Sequence, residues 1–171
     1  PKPSSAASDV YKRQIHICGE NGSGKSTLLR ILLGITNQTK GSIDKNLLKE
    51  VCFLGHKNAV KSYLSLEDNI LLMELHNHPK LQKYINLLNL KKYLNVVVAN
   101  LSFGQQKKLA LLRVFLNNSE LLILDEPFVG LDSDSQSILT QFLNNELAIN
   151  KGLVYTSHIL CDIESKIIIL E

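Results

Sequence analysis

Gly19-Glu20-Asn21-Gly22-Ser23-Gly24-Lys25-Ser26-Thr27 fits the pattern G-x-x-x-x-G-K-[ST] at every fixed position. Glycines let a backbone wrap closely round an anion, so that successive N–H groups point at it. A helix expected to start near Lys25 adds its positive dipole end at the same spot. In such a loop Lys25 reaches the β- and γ-phosphates, and the Ser26 hydroxyl takes one place on Mg²⁺. Gly19, Asn21, Gly22, Ser23, Gly24 and Thr27 make up the rest of the cradle. The flanks agree with this. Ile15-His16-Ile17-Cys18 reads as a short strand, and Leu28 to Gly34 as an apolar helix ending at a glycine. Strand, loop and helix stand in the required order, which points to binding of a nucleoside triphosphate.

The 171 residues are one domain's worth, enough for a core without disulfides or metals. With 44% hydrophobic and 20% charged residues the composition is that of an ordinary globular chain. Of the net charge of +3, Lys2, Lys12, Arg13 and Asp9 carry +2, so no clustered basic footprint for nucleic acid exists. Cys18, Cys52 and Cys161 are widely spaced, without a C-x-x-C, which favours a reducing compartment. Cys161 and His158 stand at helical spacing, but two ligands do not make a metal site. No apolar run approaches the roughly 18 residues of a membrane span; Asn69 to Leu75, the most tempting stretch, contains Glu74.

Residues 1–14 differ from the rest, being rich in Ser, Ala and Pro and without periodicity. Ser4 to Gln14 resembles a translated sequencing adapter, and an artefact is preferred to a natural disordered tail. On that expectation the true N-terminal strands are missing, and residues 15–171 form a single domain.

Leu121-Leu122-Ile123-Leu124-Asp125-Glu126-Pro127 is an apolar run of strand length ending in two carboxylates. Strands of a parallel sheet buried on both faces read as continuous apolar runs, and ligands sit at their carboxyl ends. Asp125 therefore belongs beside the phosphate loop as a Mg²⁺ partner, and Glu126 is placed to orient and deprotonate an attacking water. Without Gly19 to Thr27, a surface Asp-Glu pair at the end of a core strand would be the better reading.

At this point the chain resembles the ATP-binding subunits of ABC transporters, from Ile15 to Glu171. Leu101-Ser102-Phe103-Gly104-Gln105 looks like the family signature L-S-x-G-Q, with Phe103 where glycine is commonest. Asp132, in Val129-Gly130-Leu131-Asp132, matches the loop after the Asp-Glu strand, and His158, in Tyr155-Thr156-Ser157-His158, matches the switch histidine. The resemblance implies an α/β fold with a mostly parallel central sheet, flanking helices and a small helical subdomain. It also implies ATP and Mg²⁺ as ligands, and a head-to-tail pair of such domains, expected to be a homodimer. Each ATP is then sandwiched between one phosphate loop and the opposite Ser102, Gly104 and Gln105, with Asp132 close by. His158 is expected to hold the γ-phosphate or the catalytic water. An integral membrane permease completes the assembly, which places the chain on the cytoplasmic face of the inner membrane.

Residues 61–100 read as the helical subdomain. Ser65 and Asp68 resemble a capping box for a helix from Leu66 to His76. Pro79 suits the first turn of the next helix, with Leu81, Ile85, Leu87 and Leu88 on its apolar side, and Leu90 to Leu94 reads as a further turn. His76 and His78 are solvated histidines rather than haem ligands. His56 stands where most relatives carry the glutamine that touches Mg²⁺ and the attacking water, and an imidazole can do similar work while neutral. The runs Leu54 to Lys61, Leu101 to Leu111 and Asp125 to Phe128 are similar to the haem-exporter ATPases of cytochrome c maturation. Membership there implies ATP-driven release of a haem-loaded chaperone, with the permease docking around His56 to Glu67. Other readings are a drug or lipid exporter, a soluble relative acting on ribosomes or DNA, and a non-catalytic subunit. Tandem domains and coiled arms, usual in the soluble relatives, are lacking, and intact Lys25, Asp125, Glu126 and His158 argue against the last. Tyr11 lies too close to Gly19 to stack on adenine.

Overall fold

The computed structural model describes residues 13–43, 50–159 and 162–171, so residues 1–12 with Tyr11, and also Cys161, lie outside the described residues. Among the described residues five strands form one parallel sheet: β1 (Gln14–Gly19), β2 (Val51–Leu54), β3 (Leu121–Asp125), β4 (Gly152–Thr156) and β5 (Lys166–Leu170), in the order β2-β3-β4-β1-β5. Helix α1 (Lys25–Leu32) follows β1. Helices α2 (Leu66–Leu72), α3 (Leu81–Leu87) and α4 (Phe103–Phe115) lie between β2 and β3, and α5 (Ser133–Ala148) joins β3 to β4. This is the expected α/β class. The sheet takes in Gln14, which is buried, and the Arg13 carbonyl accepts from the Leu153 amide at 2.9 Å.

The strand register sorts the side chains onto two faces, because alternate residues of a strand point opposite ways. Ile17, Ile123 and Val154 pack with Leu29 of α1 on one face. Leu54, Leu122, Leu124, Leu153 and Tyr155 pack on the other against α4 and α5, in a core that contains Leu109, Leu112, Leu139 and Leu143. Asp125 pairs with Thr156, and Thr156 with Ile17. These three residues thus form one row on the α1 face, at the carboxyl ends of the strands where the phosphate loop begins.

The segment between β2 and α4 is fastened by polar groups as much as by apolar ones. The Ser65–Asp68 capping box is formed: the Ser65 hydroxyl accepts from the Asp68 amide at 3.0 Å, and Asp68 Oδ2 accepts from the Ser65 amide at 3.2 Å. Asn69 is fully buried; its Oδ1 accepts from the Lys61 amide at 2.7 Å, and its Nδ2 donates to the Lys61 and Ser65 carbonyls at 3.0 and 2.8 Å. Tyr84 of α3 stacks on Phe115 of α4 at 4.6 Å, and Phe142 of α5 meets both rings edge-on. Among the described residues no helix is long and apolar enough to cross a membrane.

Two expectations for this segment need correction. Helix α2 stops at Leu72 rather than His76. Glu74 adopts a left-handed φ of 59°, the Glu74 amide bonds the Leu71 carbonyl, and the Leu75 amide bonds the Ile70 carbonyl. That is a Schellman ending, which glycine usually supplies and which a glutamate hides from a sequence reader. Asn89 closes α3 in the same way. Leu87 is 42% exposed; the buried residues of α3 are Tyr84 and Ile85, continued by Leu88 just past its end, and Leu87 lies two residues, about 200°, round the helix from Ile85.

Asn69→Ala should destabilise the chain by roughly 3 kcal/mol, since it removes a fully buried amide and its three bonds to the Lys61 and Ser65 backbone. Urea unfolding followed by circular dichroism measures this, and a loss below about 1 kcal/mol would show that water replaces the amide.

Candidate active site

The phosphate loop is shaped by its glycines and its lysine. Gly24 holds a φ of 93° as the N-cap of α1 and offers no side chain to cap the helix. The first amides of α1 are therefore left for an outside acceptor, as the orphan donors of any helix start. The Lys25 side chain is buried and donates to the Gly19 and Glu20 carbonyls, both at 2.8 Å, so its ammonium lies along the inner wall of the loop. Asn21, Gly22, Gly24, Lys25, Ser26 and Thr27 line a cleft of about 470 Å³ together with His56, Asp125, Glu126, Val129 and His158. Gly19 and Ser23 face a second hollow, behind the loop and beside Leu170.

The opposite wall carries the two carboxylates. Neighbouring residues of a strand ought to point to opposite faces, yet Asp125 and Glu126 both reach the cleft. The cause is backbone geometry: Glu126 has a left-handed φ of 49°, which turns the chain sharply at the end of β3. Such strain persists only where the surroundings enforce it. Thr156 of β4 does so, its hydroxyl accepting from the Glu126 amide and donating to Asp125 Oδ1, both at 2.8 Å. On the far side, Glu126 Oε2 accepts from the His158 amide at 3.3 Å. The His158 ring nitrogen stands 3.2 Å from Glu126 Oε1, but off hydrogen-bond direction, so this buried oxygen has no donor.

Lys107 of α4 lies beneath the carboxylates, 1% exposed. Burial pushes its ammonium pKa down, while the charges of Asp125 and Glu126 work to raise it. A lysine here balances two carboxylates crowded into one buried corner. Among the described residues no three His, Cys, Asp or Glu side chains gather as metal ligands. The donor set nevertheless fits Mg²⁺, which commonly takes one or two carboxylates and completes its shell with phosphate oxygens and water. Asp125, held by Thr156, and Ser26 at the start of α1 are the residues that suit it.

Ser102, Gly104, Gln105 and Asp132 stand apart from that cleft, around another hollow that also includes Lys91 and Lys108. Ser102 caps α4 in a complete capping box with Gln105, the Ser102 amide donating to Gln105 Oε1 at 2.8 Å. Gly104 has to be glycine, because a Cβ there would lie 2.4 Å from the Gly130 carbonyl oxygen. Asp132 caps α5 through the Ser135 amide and pairs with Lys108 at 2.6 Å. The Lys108 hydrogen bond, helped by Ser135, holds the Asp132 carboxyl at about 2.

The structure thus brings Asn21, Gly22 and Gly24 to Thr27 of the phosphate loop, Asp125, Glu126, His158 and also His56 into one cleft, and leaves Gly19, Ser23, the signature residues and Asp132 elsewhere. His76 is exposed and His78 half-buried, and among the described residues each has a local partner, Asn77 and the Lys80 amide. Sequence reading missed Thr156 and Lys107. The first shows as a hydroxyl at the end of the apolar run Leu153-Val154-Tyr155, the second as a lysine on the buried side of α4. Thr156→Val keeps the shape but removes both hydrogen bonds. It should lower kcat for ATP about tenfold or more while changing the affinity for ATP less than threefold. Steady-state phosphate release and calorimetric titration separate the two effects.

Comparison with known proteins places the chain in a family. The family described as ABC transporter matches residues 9–129. The cytochrome c biogenesis ATP-binding export protein CcmA of Legionella pneumophila is 33% identical over 157 residues, covering 84% of this chain and 78% of that protein. Its counterpart in Pasteurella multocida is 29% identical over 169 residues, covering 90% and 78%. Among solved structures, an ATP-binding subunit of an ABC transporter superposes with a TM-score of 0.77 at 24% identity, covering 92% of this chain and 74% of that one. A dimeric ATP-binding cassette bound to ADP and Pi gives 0.75 at 23%, covering 94% and 82%. Fold and relatives coincide, and the chain belongs to the ABC transporter family as an ATP-binding, ATP-hydrolysing subunit.

Proposed function

We propose that the cleft between α1 and the end of β3 performs the hydrolysis, with Glu126 as general base. The observation that carries this is the orphaned Oε1 of Glu126, a buried carboxylate oxygen at a phosphate loop with no donor of its own. Glu126 accepts a proton from the attacking water, and the His158 ring beside Oε1 holds the water or the γ-phosphate. Lys25 and the first amides of α1 bind the β- and γ-phosphates. Ser26 and Asp125 hold Mg²⁺, which supplies charge neutralisation to the phosphates when bound. His56, exposed on the loop after β2, lies within reach of that metal's surroundings.

Ser102, Gly104 and Gln105 act on the ATP of a second copy. Their separation from their own phosphate loop supports this, since they line a different hollow from it. The capped start of α4 offers its amides to that γ-phosphate, and Asp132 lies beside it. The head-to-tail pair, a homodimer, closes on two ATP molecules and opens when the γ-phosphates are cleaved. The pair docks on an integral membrane permease at the cytoplasmic face of the inner membrane. The names of the relatives, together with the runs around His56, Phe103 and Phe128, support haem export and release of the loaded chaperone in cytochrome c biogenesis.

Glu126→Gln should cut phosphate release about a hundredfold or more, leave ATP binding intact and trap the closed pair. In the native complex it should also stop cytochrome c assembly; assembly at the normal level would remove the haem-export assignment. Lys25→Ala should weaken ATP binding by at least about tenfold in calorimetry, and unchanged affinity would remove the phosphate-loop role.

A further inference from the structure

His16 belongs to β1, three residues before the phosphate loop. The register sets it opposite Tyr155 of β4, so the two side chains share a sheet face, and their rings stack 4.4 Å apart within 6° of parallel. The stack aims the imidazole along β4 toward the turn that carries His158. There His16 Nε2 lies 3.0 Å from the Ser157 carbonyl oxygen. A carbonyl only accepts, so Nε2 carries the proton. The Cys18 sulfur, 3.4 Å from the same nitrogen, packs on its flank.

That carbonyl belongs to the peptide unit whose N–H is the amide of His158. The two ends of one rigid plane are therefore gripped by different strands: the oxygen by His16 of β1, the hydrogen by Glu126 Oε2 at the end of β3, at 3.3 Å. A peptide bonded at its oxygen is a better donor at its nitrogen, because chained hydrogen bonds polarise one another. The remainder of the turn is closed by the Ser157 hydroxyl, which accepts from the Ile159 amide and donates to the Ile159 carbonyl, both at 2.9 Å.

We infer that His16 is a positioning residue for hydrolysis, clamping the Ser157–His158 peptide so that its N–H fixes the Glu126 carboxylate. The inference rests on the role given to Glu126 above. It links the strand beneath the phosphates to the carboxylate that acts on the water, through one peptide plane.

Two variants of the full chain separate the clamp from the stack: His16→Phe retains a ring against Tyr155 without the bond, and His16→Gln retains an N–H donor. His16→Phe should lower kcat about tenfold with the ATP dissociation constant unchanged within about twofold, and His16→Gln should recover most of the rate. Amide hydrogen exchange supplies a readout free of turnover, in which the His158 amide should exchange about tenfold faster in His16→Phe than in the wild type. A wild-type rate and unchanged exchange in His16→Phe would overturn the clamp. So would equal losses in both variants that simply track a fall in melting temperature. Equal turnover in Glu126→Gln and the wild type would instead overturn the role of Glu126, and the exchange rate would then decide the His16 contact by itself.

Discussion

A single hydroxyl organises the reacting end of this protein. Thr156 serves Asp125 as donor and the Glu126 backbone as acceptor, and the two bonds point opposite ways along one side chain. The hydroxyl thereby ties a metal-suited carboxylate to the strained peptide that aims the neighbouring one. The phosphate loop and the carboxylate strand are not neighbours in the sheet; β4 separates them. Thr156 makes the intervening strand an active part of the site, and the parallel register that seats it opposite both Asp125 and Ile17 is fixed by apolar packing on both faces. Distant leucines thus set the position of a hydroxyl in the cleft.

Charge is handled with similar economy. Asp125 and Glu126 are both nearly buried, and two adjacent buried carboxylates repel. Lys107 answers them from below, at a desolvation cost visible in its lowered pKa. Lys25, which meets the phosphates in the proposed reaction, is held by the Gly19 and Glu20 carbonyls. The corner is balanced by one lysine, and in the proposed reaction the ligand is met by another.

Much of this was legible in the sequence, and the remainder was hidden for definable reasons. The phosphate loop and the Asp-Glu strand end are local patterns whose chemistry needs fixed spacing, so Gly19 to Thr27 and Leu121 to Pro127 could be read directly. The capping box at Ser65 is equally local, and it formed as read. The end of α2 was not legible, because Glu74 adopts a conformation that its side chain does not advertise. Thr156, Lys107 and His16 were missed because their meaning lies in register and burial. A threonine in a strand is ordinary until it sits across from Asp125.

The contact between Gly104 and Gly130 carries a mechanical consequence. Neither residue has room for a methyl group, and Lys108 ties Asp132 to the same helix, so the loop after Glu126 and the start of α4 behave as one solid piece. In the proposed head-to-tail pair these two parts belong to different reaction centres. Any shift that cleavage imposes on the loop of one centre must then be felt at once as a displacement of the surface that clasps the other. In that pair the two centres would keep time with each other without any dedicated messenger, through a joint that a methyl group on Gly104 would force apart.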